Sequence, residues 1–337
     1  MKRTVTFGEI MLRLKTPEHM RILQTDAFEA SYGGAEANVA VSLAVLKDPV
    51  SFVTKLPENP VGTAALNEVR RYGADTSKVV IGGSRLGIYF FEKGTDIRPT
   101  NVVYDREGSA LALAKPEEFH WDEILKDTDI FYFSGVTPAV SENIAKAVLE
   151  ALKYCKAHGI ETVCDLNYRS KMWDTKKAQS VMSELMNYVT LCIANDEDFE
   201  SSLGIHAYDG DISKGIDQIE SYKAGMKEIQ NRYPNCKAVA SVLRNMYTAE
   251  DGDWMAIYLK DGVFYESPVH KVHSFEAVGA GDAFAGALLH SLVRGFEPQK
   301  LIDSASVLKL MIQRDFNLVT ENEIMRVMES KAANLQR

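Results

Sequence analysis

The amino-acid sequence predicts an α/β fold with a mostly parallel central sheet, and three observations predict it. Short apolar runs of strand length alternate with longer segments of helical periodicity, the pattern of parallel strands joined by crossover helices. Several of those runs end in polar or small residues, as strands do whose carboxyl ends form a ligand-binding rim. No Gly/Ser/Pro linker cuts the 337 residues in two, so one domain over residues 1–337 is expected.

Strands are expected at Val5 to Leu12, Ser51 to Leu56, Ile130 to Phe133, Glu161 to Asp165, Leu191 to Ala194 and Ala238 to Leu243. Helices are expected at Glu36 to Leu46, Pro60 to Tyr72, Ser141 to Ala157, Lys214 to Arg232, Gly281 to Arg294 and Leu301 to Gln313. Ser141 has N-cap chemistry, and Gly159 lies just past the end of its helix. Asp165, Leu166, Asn167, Asn195 and Arg244 follow strand ends and so should face one rim. Leu86 to Phe91 and Asn101 to Tyr104 break the rhythm, as β-type runs joined by a turn containing Gly94, Thr95 and Asp96. They read as an added hairpin able to cover the rim and exclude water, or as an edge extension of the main sheet.

With 46% hydrophobic and 25% charged residues the chain can bury a large core, and it lacks the bias of a disordered, collagen-like or membrane protein. A net charge of -9 argues against a nucleic-acid-binding surface, where Lys and Arg would cluster. Cys155, Cys164, Cys192 and Cys236 are widely spaced with no C-x-x-C pair, which points to reduced thiols and neither a zinc cluster nor a disulfide framework. The basic start Met1-Lys2-Arg3 is followed by a run that Glu9 and Arg13 interrupt, unlike a signal-peptide core. No stretch approaches the roughly 18 to 20 apolar residues that span a bilayer. A cytoplasmic enzyme acting on a small molecule, with neither nucleic acid nor membrane as partner, is the expectation.

Two motifs carry chemistry. In Gly279-Ala280-Gly281-Asp282-Ala283-Phe284, two glycines and an alanine lead into an apolar helix. Backbone amides and the helix dipole make such a start an anion site, and Asp282 in the first turn is near enough to accept a proton from an attacking hydroxyl. An ordinary turn with Asp stabilising the helix start is the other reading. In Gly33-Gly34-Ala35-Glu36-Ala37-Asn38, paired glycines let a ligand approach the backbone and Asn38 can hydrogen-bond sugar hydroxyls. Taken alone, these six residues also fit a flexible turn before a helix.

Over nearly its whole length the chain resembles the ribokinase-type (PfkB) carbohydrate kinases, and within them most the 2-keto-3-deoxygluconate kinases. The resemblance rests on Gly33-Gly34-x-x-x-Asn38, on Asp165-Leu166-Asn167-Tyr168-Arg169 with Trp173, on Asn195-Asp196-Glu197-Asp198, and on Gly279-Ala280-Gly281-Asp282, in family order. The subfamily likeness rests on Phe7-Gly8-Glu9-Ile10-Met11-Leu12-Arg13-Leu14, on Arg98-Pro99 leading to Tyr104-Asp105-Arg106 and Ser109-Ala110, and on Asp315-Phe316-Asn317-Leu318-Val319. It implies a three-layer fold with a small β lid built from segments near 10–32 and 85–108, and often a homodimer through packed lids.

The implied reaction is ATP-dependent phosphorylation of a sugar acid, with Mg²⁺ and, in some members, a monovalent cation such as K⁺. A kinase for a neutral sugar such as fructose or ribose and a non-catalytic sugar-binding protein are the alternatives. By resemblance Asp282 is the base beside the cradle of Gly279, Ala280 and Gly281. Gly33, Gly34, Asn38, Tyr89, Tyr104, Arg106, Arg169 and Asp315 would meet the sugar, with the arginines suited to its carboxylate. Asp315 equally suits an N-cap or loop role. Asn167, Asn195 and Arg244 would lie by the nucleotide phosphates, and Glu197 or Asp198 would position hydrated Mg²⁺.

The pattern departs in places. Glu276-Ala277-Val278 stands where the family usually has Asp-Thr-Thr, which implies altered handling of Mg²⁺ or a monovalent cation. Leu46-Lys47 replaces Leu-Gly, Leu56-Pro57 replaces a glycine-rich strand end, and Gln313-Arg314 replaces Pro-Gly before Asp315.

Overall fold

The computed structural model describes residues 1–195, 197–208, 211–307 and 314–329. In chain order its strands are β1 (Thr4–Phe7), β2 (Met11–Lys15), β3 (Glu29–Gly33), β4 (Val50–Val53), β5 (Lys55–Leu56), β6 (Val80–Ile81), β7 (Ile88–Glu92) and β8 (Asn101–Asp105). They continue with β9 (Ile130–Ser134), β10 (Glu161–Asp165), β11 (Leu191–Ile193), β12 (Ala238–Met246), β13 (Asp251–Lys260), β14 (Val263–Glu266) and β15 (His270–His273). Among the described residues a nine-stranded sheet runs β14-β13-β12-β11-β10-β9-β1-β4, with β15 also paired to β13. From β12 to β4 every pairing is parallel, while β13 to β15 are antiparallel.

Alternation along the strands divides the core into two layers. Phe131 and Phe133 pack with the helices Glu142–His158, Thr175–Leu185 and Ile219–Arg232. Ile130 and Tyr132 face the helices Ala35–Val45, Pro60–Arg70, Ala280–Arg294 and Pro298–Ala305. A parallel sheet buried on both faces needs such continuous apolar strands. Ser141 caps its helix by accepting the Ile144 N–H, and Gly159 closes it in the left-handed conformation at φ 69°.

Val5 to Leu12 is not one strand. It divides into β1 of the main sheet and β2 of a separate four-stranded sheet ordered β3-β2-β7-β8. The change of sheet falls at Gly8, where a Cβ would stand 1.9 Å from Glu36 Oε2. Ser51 to Leu56 likewise divides into β4 and β5. Apolar patterning does not mark either break, because both sheets bury a face. Residues 308–313 of the helix expected over Leu301 to Gln313, and Asp196, lie outside the described residues. Among the described residues no helix is long and apolar enough to cross a membrane.

Candidate active site

The helix Ala280–Arg294 begins at Gly279, whose φ of 73° is left-handed. A Cβ there would stand 2.6 Å from the Asp315 carbonyl oxygen, so glycine is required twice over. A Cβ on the exposed Gly281 would meet nothing within 4 Å, and its amide has no partner among the described residues. The Ala280 N–H turns back to the Ala277 carbonyl at 3.1 Å. Within the expected cradle of Gly279, Ala280 and Gly281, the Ala280 amide is therefore occupied, and the Gly281 amide is available.

Asp282 is 8% exposed in the first turn. Asn38 Nδ2 donates to its Oδ2 at 2.6 Å, and the Gly34 N–H donates to Asn38 Oδ1 at 3.3 Å. Asn38, expected towards sugar hydroxyls, thus holds the proposed base. The glycines before it allow close packing: a Cβ on Gly33 would stand 2.3 Å from the Asp315 carboxyl carbon, and one on Gly34 1.9 Å from the Glu9 carbonyl oxygen.

At the rim, Asp165 ends β10 with Oδ1 buried and without a hydrogen-bond partner among the described residues. Burial first, then the charges of Asp198 and Asp282, push its pKa well above the usual carboxylate range. Asp198 accepts the Tyr168 N–H at 2.7 Å on Oδ1 and the Asn195 N–H at 3.0 Å on Oδ2. Asn195 Oδ1 accepts the Val242 N–H at 2.8 Å, tying the end of β11 to β12. Asn167 adopts a left-handed φ of 40° in the loop after β10. Arg244 lies on the part of β12 that runs past its last pairing with β11, Ile193 opposite Ala240, and so overhangs the same rim.

One backbone amide on each Asp198 oxygen fixes that carboxylate at the rim. Among the described residues no group of three His, Cys, Asp or Glu side chains could hold a metal. Glu197, which is exposed, and Asp198 remain the carboxylates expected to position a hydrated cation whose other ligands are phosphates and water.

The four-stranded sheet supplies Tyr89, which donates to Asp315 Oδ1 at 2.5 Å and lies 6.1 Å from the Tyr104 ring. Arg106 follows β8. Its Nε donates to Glu9 Oε2 at 2.8 Å, Nη2 reaches the same oxygen, and Ser109 Oγ reaches Glu9 Oε1. Its charge is thus compensated within the chain by Glu9, and Arg169 is the other guanidinium expected towards a sugar carboxylate. Arg169 is exposed and donates through Nη1 to the Tyr168 carbonyl at 2.8 Å. A cavity of about 540 Å³ opens between Tyr104, Arg106, Ser141 and Met172. Asp282 is not among the residues that line it.

Residue type alone does not mark Arg13, Lys15 and Glu9 as site residues, and Glu276 stands where the family pattern implies a cation-handling group. Arg13 is fully buried and donates through Nη1 to Asp315 Oδ2 at 3.1 Å and through Nη2 to Glu276 Oε2 at 2.8 Å. Lys15 Nζ lies 2.6 Å from Glu276 Oε1, and the Arg314 N–H reaches Oε2 at 2.9 Å. Burial would raise the Glu276 pKa, but the Arg13 charge and these hydrogen bonds more than offset it and hold the group at about 2. Its carboxylate is therefore filled by cationic side chains of the chain itself. Charged residues within an apolar strand pattern were the available signal.

An amide cradle, a buried first-turn aspartate and a doubly wound sheet are joined by a family match: the profile of pfkB family carbohydrate kinase fits residues 1–308. The chain belongs to the pfkB family of carbohydrate kinases. It is 34% identical over 336 residues to a 2-dehydro-3-deoxygalactonokinase of Haloferax volcanii, covering 99% of this chain and 98% of that one. Its fold matches the crystal structure of 2-dehydro-3-deoxygluconokinase from Thermotoga maritima with a TM-score of 0.93 and 42% identity, over 98% of this chain and all of that one. A PfkB family carbohydrate kinase from Listeria grayi matches with a TM-score of 0.89 and 31% identity, over 97% of this chain and all of that one. The pfkB protein described here is thus a phosphotransferase with a ribokinase-like fold, close to the 2-dehydro-3-deoxygluconokinase type, and a sugar and ATP are its substrates.

Proposed function

We propose that this kinase transfers the γ-phosphate of ATP to the 6-hydroxyl of 2-keto-3-deoxygluconate, giving 2-keto-3-deoxy-6-phosphogluconate. The observation that carries the reading is the Asn38–Asp282 pair beside the Gly281 amide, a carboxylate fixed at 2.6 Å next to an anion site. Asp282 takes the hydroxyl proton as the oxygen attacks in line, and Asn38 keeps the carboxylate oriented for it. The Gly281 amide and the positive end of its helix stabilise charge on the transferred group, with Arg244 adding a cation from β12. Mg²⁺, when bound with the nucleotide, offsets phosphate charge. Arg169 offers a forked guanidinium to the sugar carboxylate.

The two relatives named for 2-dehydro-3-deoxy sugar acids act on epimers of one another, one gluconate and one galactonate. Both compounds therefore belong in the assay, beside fructose and ribose. Asp282→Asn is expected to lower kcat at least about a hundredfold, the lower range for a positioned base, with ATP affinity little changed. Turnover near that of the wild type would reject the assignment. A kcat/KM for fructose or ribose matching that for the sugar acids would favour the neutral-sugar reading.

A further inference from the structure

Arg13 stands on β2 opposite Tyr89 of β7, fully buried, with its guanidinium 4.1 Å from the centroid of the Phe91 ring. Arg13, Lys15 and Tyr89 share one face of the four-stranded sheet, and all three end on two carboxylates of the main body. Arg13 bridges Asp315 and Glu276, Lys15 adds to Glu276, and Tyr89 adds to Asp315. These carboxylates flank the cradle. Glu276 precedes Gly279 by three residues and also holds the Arg314 N–H, joining that segment to the one carrying Asp315. The Asp315 carbonyl lies 2.6 Å from where a Gly279 Cβ would be, and its carboxyl lies against Gly33.

Stability alone is a weak reason for this arrangement, because well-packed apolar residues commonly do as well as a buried ion cluster. A planar fork does something apolar packing does not: it sets the separation of two backbone segments and ties both to a third. We infer that Arg13 is a positioning residue for phosphoryl transfer, acting through Glu276 and Asp315 to register the four-stranded sheet against the helix start that carries Asp282. The inference rests on the kinase reading above, with Asp282 as base.

The test is a double-mutant cycle on the purified enzyme, measuring kcat and KM for ATP and 2-keto-3-deoxygluconate together with urea unfolding. Arg13→Met is expected to lower kcat about ten- to a hundredfold, the scale of a small misplacement of reacting groups. Arg13→Lys, which keeps the charge and loses the fork, should recover part of this, with KM for ATP within about twofold of wild type in both. Placed on Asp282→Asn, either change should cost less than about threefold, because a misplaced base that is already absent costs little more. A merely structural role would give the same loss in both backgrounds, and that equality would overturn the proposal. Folded Arg13→Lys with unchanged kcat would overturn it too, including where Arg13→Met fails to fold. Failure of the kinase reading looks different: Asp282→Asn would then be as active as the wild type.

Discussion

Replacing Glu276 by Gln removes one charge from a site where its side chain is 1% exposed, while Arg13 and Lys15 remain buried beside it. In the folded chain Glu276 titrates at about 2 against an ordinary 4.5. At about 1.36 kcal/mol per pH unit this corresponds to about 3 kcal/mol of stability at pH 7. The figure agrees with the roughly 3 to 5 kcal/mol for breaking one side of a buried ion pair. Because the folded-state value is depressed, the contribution is complete well above pH 4.5 and is lost as pH falls through 4.5 towards 2. Glu276→Gln should therefore lower the unfolding free energy by about 3 kcal/mol at pH 7, and Tm by roughly 4 °C. By pH 3.5 the gap between wild type and variant should have narrowed by about 1.4 kcal/mol. Urea titrations of both proteins at pH 7, 5, 4 and 3.5 measure it, and the other carboxylates cancel in the difference. A cost under about 1 kcal/mol at pH 7, or one that stays constant down to pH 3.5, would refute the reasoning.

Arg169→Ala should raise KM for 2-keto-3-deoxygluconate at least about tenfold, the worth of a charge-assisted hydrogen bond, while leaving any slow turnover of fructose unchanged. Equal losses on both sugars, measured by steady-state kinetics, would remove Arg169 from carboxylate recognition. Glu36 accepts the Ser134 N–H at 2.7 Å and the Thr137 hydroxyl at 2.8 Å, yet burial raises its pKa from 4.5 to about 7. A raised carboxyl favours the folded state at low pH and loses that advantage as pH climbs through 7. From pH 5 to 8 the wild type should thus lose about 2.5 kcal/mol more stability than Glu36→Gln, and parallel urea-unfolding curves would contradict this.

Local chemistry was legible where one segment carries the whole device. Gly279 to Asp282 could be read as a helix start with a first-turn acid because glycine, helix dipole and carboxylate act within one turn. The ends of β10, β11 and β12 could be placed on one rim from their apolar lengths alone. What sequence patterning could not yield is pairing across distance. Arg106 suits a sugar carboxylate by type, and only the fold reveals that Glu9, 97 positions away, already occupies it. Asp198 suits a metal by type, and only the loop geometry reveals the two amides it accepts. The change of sheet at Gly8 left no hydrophobic trace. The antiparallel strands β13 and β14 did leave one, in the turn Asp261-Gly262 with φ of 50° and 76°, a common hairpin pair.

The bonds that assemble this centre reach far along the chain: 302 positions between Arg13 and Asp315, 244 between Asn38 and Asp282. At a synthesis rate of about 5 to 20 residues per second, Arg13 is made roughly 13 to 53 s before Glu276, the first of its two acidic partners, exists. For that interval a guanidinium destined for the interior has no counter-ion from its own site, and the strand bearing it must stay hydrated or be shielded by a chaperone. A polypeptide interrupted before Asp315 therefore leaves the Arg13 fork half-filled and deprives the Tyr89 hydroxyl of its acceptor.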